Sequence, residues 1–156
     1  MLTQPSKGYT IVEVLLVVVI LAIIGTLAGP RFFDNAAFDE RAYYDELVSA
    51  LRYAQKIAVA SGCPVRVTVA PTSYALSQQA SLAGHCDPGD AAFPVAVRLP
   101  TGEAASGTAP GSVTVVPALT IVYNALGQTS LPGSLSIAVG SRLLQVQADS
   151  GLVVTP

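Results

Sequence analysis

Hydrophobic and polar positions fall into three successive patterns along the chain. From Tyr9 to Ala28 the sequence reads YTIVEVLLVVVILAIIGTLA, twenty residues with one charge, Glu13. A stretch of roughly 20 apolar residues crosses a hydrocarbon core of about 30 Å, so this run predicts a membrane helix. Gly25, Gly29 and Pro30 interrupt it. Pro removes a backbone donor and clashes with the preceding turn, which predicts a kink or local melting there, or a plain exit from the membrane. After Arg31 the apolar residues Tyr44, Leu47, Val48, Leu51, Ala54 and Ala58 recur every three or four positions. They predict an amphipathic helix with one stripe packed on a folded domain. Asp39, Glu40, Arg41, Asp45, Glu46, Arg52 and Lys56 fall mostly on other faces and read as solvated or as i,i+4 pairs. Ser61-Gly62, followed by Pro64, ends the helix. If continuous from Tyr9, the helix would run roughly 75 Å at about 1.5 Å per residue.

Beyond Gly62 the period switches to two, first in Val65, Val67 and Val69, then in Tyr74 and Leu76. Further strands are predicted at Val95–Leu99, Ser112–Val116, Leu119–Tyr123, Ser134–Val139, Arg142–Gln147 and Leu152–Thr155. Gly102 to Gly111 and Pro132-Gly133 read as loops or turns. The expected fold class is α+β: a long N-terminal helix, its second half packed on a small antiparallel β-domain of two sheets. The predicted organisation is a leader at 1–8, a membrane helix at 9–30, an amphipathic helix at 31–62 and a β-domain at 63–156.

Charge and composition narrow the function. With 156 residues there is room for one domain and a membrane segment. A net charge of −2 gives no basic footprint for nucleic acid. Past residue 60 only Arg66, Arg98 and Arg142 are basic, against Asp87, Asp90, Glu103 and Asp149. The leader MLTQPSKG carries Lys7 as its only charge, consistent with a cytoplasmic start and a periplasmic C-terminal part. A secretory signal would place its cleavage site after the apolar run, yet that run leads straight into the amphipathic helix and reads as retained.

Cys63 and Cys86 both lie beyond the membrane run. Outside the cytoplasm they would form a bridge contributing about 2–4 kcal/mol; otherwise they are two buried thiols. His85 adjoins Cys86, but sequence neighbours rarely face each other productively, so no enzyme is expected. Asp87 and Asp90 with His85 lack the spacing of a calcium loop and the ligand set of a zinc site, so neither metal nor cofactor is expected.

The segment Lys7-Gly8-Tyr9-Thr10-Ile11-Val12-Glu13-Val14 resembles the class III signal of type IV pilins and type II secretion pseudopilins. The resemblance implies that a prepilin peptidase cuts between Gly8 and Tyr9 and methylates the new amino terminus on Tyr9. Tyr9 stands where the family usually has Phe, which preserves an aromatic. Glu13 becomes the fifth mature residue. A carboxylate inside a bilayer costs about 2.5–3.5 kcal/mol on insertion scales, and the family offsets this by pairing it with the amino terminus of a neighbouring subunit. The alternative is an interfacial anchor whose head reaches water, but the place of Glu13 just past the Gly8-Tyr9 junction favours the assembly role. Pilins commonly carry a proline at the position of Pro30, and helix near it can be lost in a filament.

RAYYDELVSALRYAQKIAVASGCPVRVTV, LTIVYNALGQTS and RLLQVQADSGLVV are together similar to the GspH/FimT branch of minor pilins and pseudopilins. The cysteines and the NALGQTS turn also resemble MshC-type subunits of the mannose-sensitive haemagglutinin (MSHA) pilus. The implied partners are other pilin or pseudopilin subunits, the prepilin peptidase, an inner-membrane assembly platform and the lipid bilayer. Some FimT-like subunits take up DNA through a Gly-Arg-x-Arg motif, but Gly140-Ser141-Arg142-Leu143-Leu144 has a single Arg, so no nucleic-acid partner is expected. The expected role is a structural minor subunit of an MSHA-like type IV pilus, with a type II secretion pseudopilin as the alternative.

Overall fold

Residue preferences become geometry in a computed structural model that describes residues 8–28, 35–82, 85–86 and 91–156. Two units divide the chain, one ending at Asn35 and the other running from Ala36 to Pro156.

The first unit is built on helix α1 (Ile11–Ala28). Thr10 starts it: its carbonyl accepts the N–H groups of Glu13 (3.1 Å) and Val14 (3.2 Å), and its hydroxyl accepts the Glu13 N–H (3.2 Å). A threonine there satisfies donors that the first turn leaves open. The predicted helix therefore begins two residues late, with Tyr9 and Thr10 forming its lead-in. Among the described residues no helix is long and apolar enough to cross a membrane. α1 has 18 residues, about 27 Å at ~1.5 Å per residue, slightly short of the hydrocarbon thickness. The predicted break at Gly29 and Pro30, and the continuity of the helix through them, lie outside the described residues.

In the second unit, helix α2 (Asn35–Ser61) buries the predicted stripe Tyr44, Leu47, Val48, Leu51, Ala54 and Ala58, and adds Tyr43 and Ala50. Against it lie strands β1 (Val65–Ala70), β2 (Ser73–Gln78), β3 (Ser81–Leu82), β4 (His85–Cys86), β5 (Val95–Ala96), β6 (Ser106–Thr108), β7 (Val115–Val116), β8 (Leu119–Tyr123), β9 (Leu135–Val139), β10 (Arg142–Val146) and β11 (Val153–Val154). One sheet runs β5-β2-β1-β8, with β6 also on β2; a second runs β11-β10-β9-β7; β3 and β4 form a separate hairpin. All pairings are antiparallel. Alternation sets the register: Val67 faces Leu76 and Ile121 across the first sheet, and Leu144 faces Ile137 across the second. These side chains and the α2 stripe make one core.

Several strands are shorter than predicted. β5 stops at Ala96, after which Arg98 makes only an isolated bridge to Ala104. β6 lies inside the stretch read as a loop, because Ser106-Gly107-Thr108 carries no apolar alternation and joins the sheet through backbone alone, on Ser73–Ala75. Gly107 is required there: a Cβ would collide with the Glu46 carboxylate and the Tyr74 ring.

Candidate functional site

The residues expected to carry processing and assembly sit at the start of α1. Gly8, Tyr9 and Thr10 precede the helix without regular structure, and the Tyr9 side chain is 82% exposed. A Cβ added to Gly8 would meet nothing within 4 Å, so the chain's own packing does not demand a glycine there. Glu13 stands one turn past Tyr9 on the same face, and the two join Val14, Val17 and Val18 around a shallow groove of about 350 Å³. Among the described residues no cation pairs with Glu13. The apolar residues from Ile11 to Ile24 are exposed on every side of the helix. α1 thus presents an apolar cylinder with a single acidic group near its start.

The other expected site residues lie elsewhere. Cys63 and Cys86 are joined in a disulfide with Cα atoms 5.4 Å apart. It ties the end of α2 to the β3–β4 hairpin, and Cys86 Sγ also contacts the Gly62 carbonyl (3.2 Å). The described residues hold no group of three metal-ligating side chains; Asp87 and Asp90 lie outside them.

Three of the polar residues on α2 that the sequence reads as solvated instead bind the sheets. Glu40 accepts the Ser141 hydroxyl (2.6 Å) and lies 3.8 Å from the Arg142 guanidinium. The hydrogen bonds from Ser141, helped by Arg142, hold its carboxyl below the usual carboxylate range. Arg142 in turn lies over the Tyr44 ring, 5.8 Å from its centroid. Gly140 makes the tight turn before Ser141 at φ 58°, and any Cβ there would strike Glu40. Glu46 accepts the Tyr74 hydroxyl at 2.6 Å, and Arg52 donates to the Val153 carbonyl (3.3 Å). Gln55 donates to the carbonyls of Gly127 (2.9 Å) and Ser150 (2.8 Å), joining the two turns beside the helix end. Among the described residues only Arg41 and Asp45 form the expected i,i+4 pair, at 4.0 Å and well exposed. The partners that Glu40, Glu46, Arg52 and Gln55 find on the sheets and turns lie 28 to 101 residues away in sequence, beyond the reach of local sequence signals.

A helix laid on two small antiparallel sheets, preceded by an apolar helix with a capped start, is a pilin-like architecture. The solved structure of the type IV minor pilin FimU of Pseudomonas aeruginosa superposes with a TM-score of 0.53 at 16% identity, covering 74% of this chain and 87% of that one. The minor pseudopilin EpsH of the Vibrio cholerae type 2 secretion system gives 0.45 at 15% identity, over 79% and 97%. No curated protein sequence matches the chain. The family model described as type II transport protein GspH matches residues 44–151, and the prokaryotic N-terminal methylation motif matches residues 4–29. The chain belongs to the GspH family and is a subunit of the minor pilin and pseudopilin class.

Proposed function

We propose that the chain is a structural minor subunit of an MSHA-like type IV pilus, made as a single-pass inner-membrane precursor with its β-domain in the periplasm. A prepilin peptidase cuts between Gly8 and Tyr9, Tyr9 is methylated, and the mature subunit enters the fibre through α1 by way of an inner-membrane assembly platform. The observation that supports this reading is α1 itself, whose apolar residues from Ile11 to Ile24 are exposed, with one acid, Glu13, in the fifth position after the proposed cut. Lipid covers the apolar surface before assembly and neighbouring helices cover it afterwards. Glu13 is then tolerated because the amino terminus of an adjacent subunit supplies the positive partner.

A second reading, a minor pseudopilin of a type II secretion system, is favoured by the description of the matching family. Both share the processing step. Mass spectrometry of the protein from native membranes is expected to find an amino terminus at Tyr9 with one added methyl group. A chain that keeps its first eight residues in cells with an active prepilin peptidase would overturn both readings. Deleting the gene and scoring surface pili against exported protein separates them.

A further inference from the structure

A groove of about 340 Å³ opens between α2 and the edge of the first sheet, walled by Ala50, Tyr53, Leu99, Pro100 and Ala105, with Glu46 and Tyr74 at one end. Its size falls in the range of sites for small ligands or short peptide segments, roughly 300–1,000 Å³. The walls are fixed. Tyr53 donates its hydroxyl to the Arg98 carbonyl (2.8 Å), and the Ala105 N–H bonds to the Val97 carbonyl (2.7 Å). The acid is fixed too: Glu46 Oε1 takes the Tyr74 hydroxyl, and Gly107 leaves room for it against the sheet. Burial and the bond to Glu46 raise the Tyr74 pKa, so its hydroxyl remains a donor.

The charge complement of the groove is a cation, because the exposed Glu46 places a carboxylate at its end. Elsewhere on α2 the chain completes a three-part arrangement, with the Arg142 guanidinium over the Tyr44 ring and beside the Glu40 carboxylate. A second guanidinium, Arg66, stacks on Phe93 at 4.0 Å from the ring centroid. The groove repeats the aromatic and the carboxylate in Tyr53, Tyr74 and Glu46, yet among the described residues no Lys or Arg pairs with Glu46. Arg98 donates to the Gly102 carbonyl (2.7 Å) and Arg41 pairs with Asp45.

We propose that this groove docks an exposed arginine of a partner protein, its guanidinium on Glu46 and its stem and an adjoining apolar residue along Tyr53, Leu99 and Pro100. Arginine fits better than lysine because a planar guanidinium can stack on a tyrosine while bonding a carboxylate. A half-apolar wall strengthens such a charge-assisted bond relative to open water. The site belongs to the β-domain side of α2 and does not depend on processing at Gly8.

The test uses the full chain in detergent micelles with labelled methyl groups. It is titrated with acetyl-leucyl-arginine methylamide and with the counterpart carrying citrulline, which keeps the shape and removes the charge. Saturable shifts of the Leu99 and Ala105 methyls are expected with the arginine probe, and binding about tenfold weaker with citrulline. Glu46→Gln, whose amide oxygen still accepts from Tyr74, should weaken the arginine probe to the citrulline level while the Ile137 and Leu144 core methyls keep their positions. Tyr53→Leu, which removes the stacking wall and keeps Glu46, should weaken it as well. Equal binding of the two probes, an unchanged affinity in Glu46→Gln, or no saturable shift would overturn the proposal.

Discussion

On α2 the apolar residues from Tyr43 to Ala58 that face the sheets are buried, while on α1 residues of the same kind, from Ile11 to Ile24, are exposed all round. Polar groups differ in the same direction. Glu40, Glu46, Arg52 and Gln55 on α2 find partners on the sheets or their turns, whereas Glu13 on α1 pairs with no cation among the described residues. Burying apolar area is the main favourable term in folding, so the sequence of α2 is accounted for by its own fold. The sequence of α1 is not, and under the proposed function lipid and other subunits are what cover it. One region is written for the domain and the other for the assembly.

Substitutions in the two regions should therefore separate cleanly. The largest effect is expected at Glu13: Glu13→Ala should abolish incorporation into fibres, scored by sheared-fibre immunoblots, while membrane insertion and the thermal unfolding of the β-domain stay unchanged. Next comes the core of the second unit. Leu51 is fully buried, and Leu51→Ala should cost about 2–5 kcal/mol in denaturant unfolding. Leu16→Ala on the exposed face of α1 should leave that transition where it was. A Leu16→Ala variant that destabilised the β-domain as much as Leu51→Ala would break the comparison.

Smaller effects sharpen it. Cys63 and Cys86 are 23 residues apart in sequence, a loop whose closure contributes about 2–4 kcal/mol, and Cys86→Ser should lower the unfolding midpoint accordingly. The smallest effect is electrostatic. Because the Glu40 carboxyl is held below its ordinary value in the folded state, its contribution is fully present above the unfolded pKa and lost as pH falls through the folded one. Stability profiles of the wild type and Glu40→Gln should differ near neutrality and converge in acid; parallel profiles would show that Ser141 and Arg142 do not favour the ionised form.

Much of this was legible in the sequence where the signal is local. The stripe Tyr44 to Ala58, the period-two runs at β1, β8, β9 and β10, and the methylation motif all rest on spacing within one segment. Tyr43 and Ala50 escaped because a helix shared by two sheets buries a wider arc than one stripe. β6 escaped because Ser-Gly-Thr offers no alternation, and the β3–β4 hairpin because its strands are two residues each. Glu40 and Glu46 read as solvated because a helix-surface carboxylate gives no hint of a hydroxyl supplied from far along the chain. Helix caps, by contrast, act over three residues, and the Thr-x-x-Glu pattern at Thr10 to Glu13 was available to be read.

The most direct test places a photo-crosslinking residue at Leu16, on the uncovered face of α1 and away from Gly8, Tyr9 and Glu13, in the chain expressed in its native membranes. Irradiation is expected to yield covalent adducts to the N-terminal helices of other pilin-like subunits, and these should vanish when Glu13→Ala is added. Adducts to lipid alone, unchanged by Glu13→Ala in cells that are assembling fibres, would contradict the view that α1 is written for its neighbours.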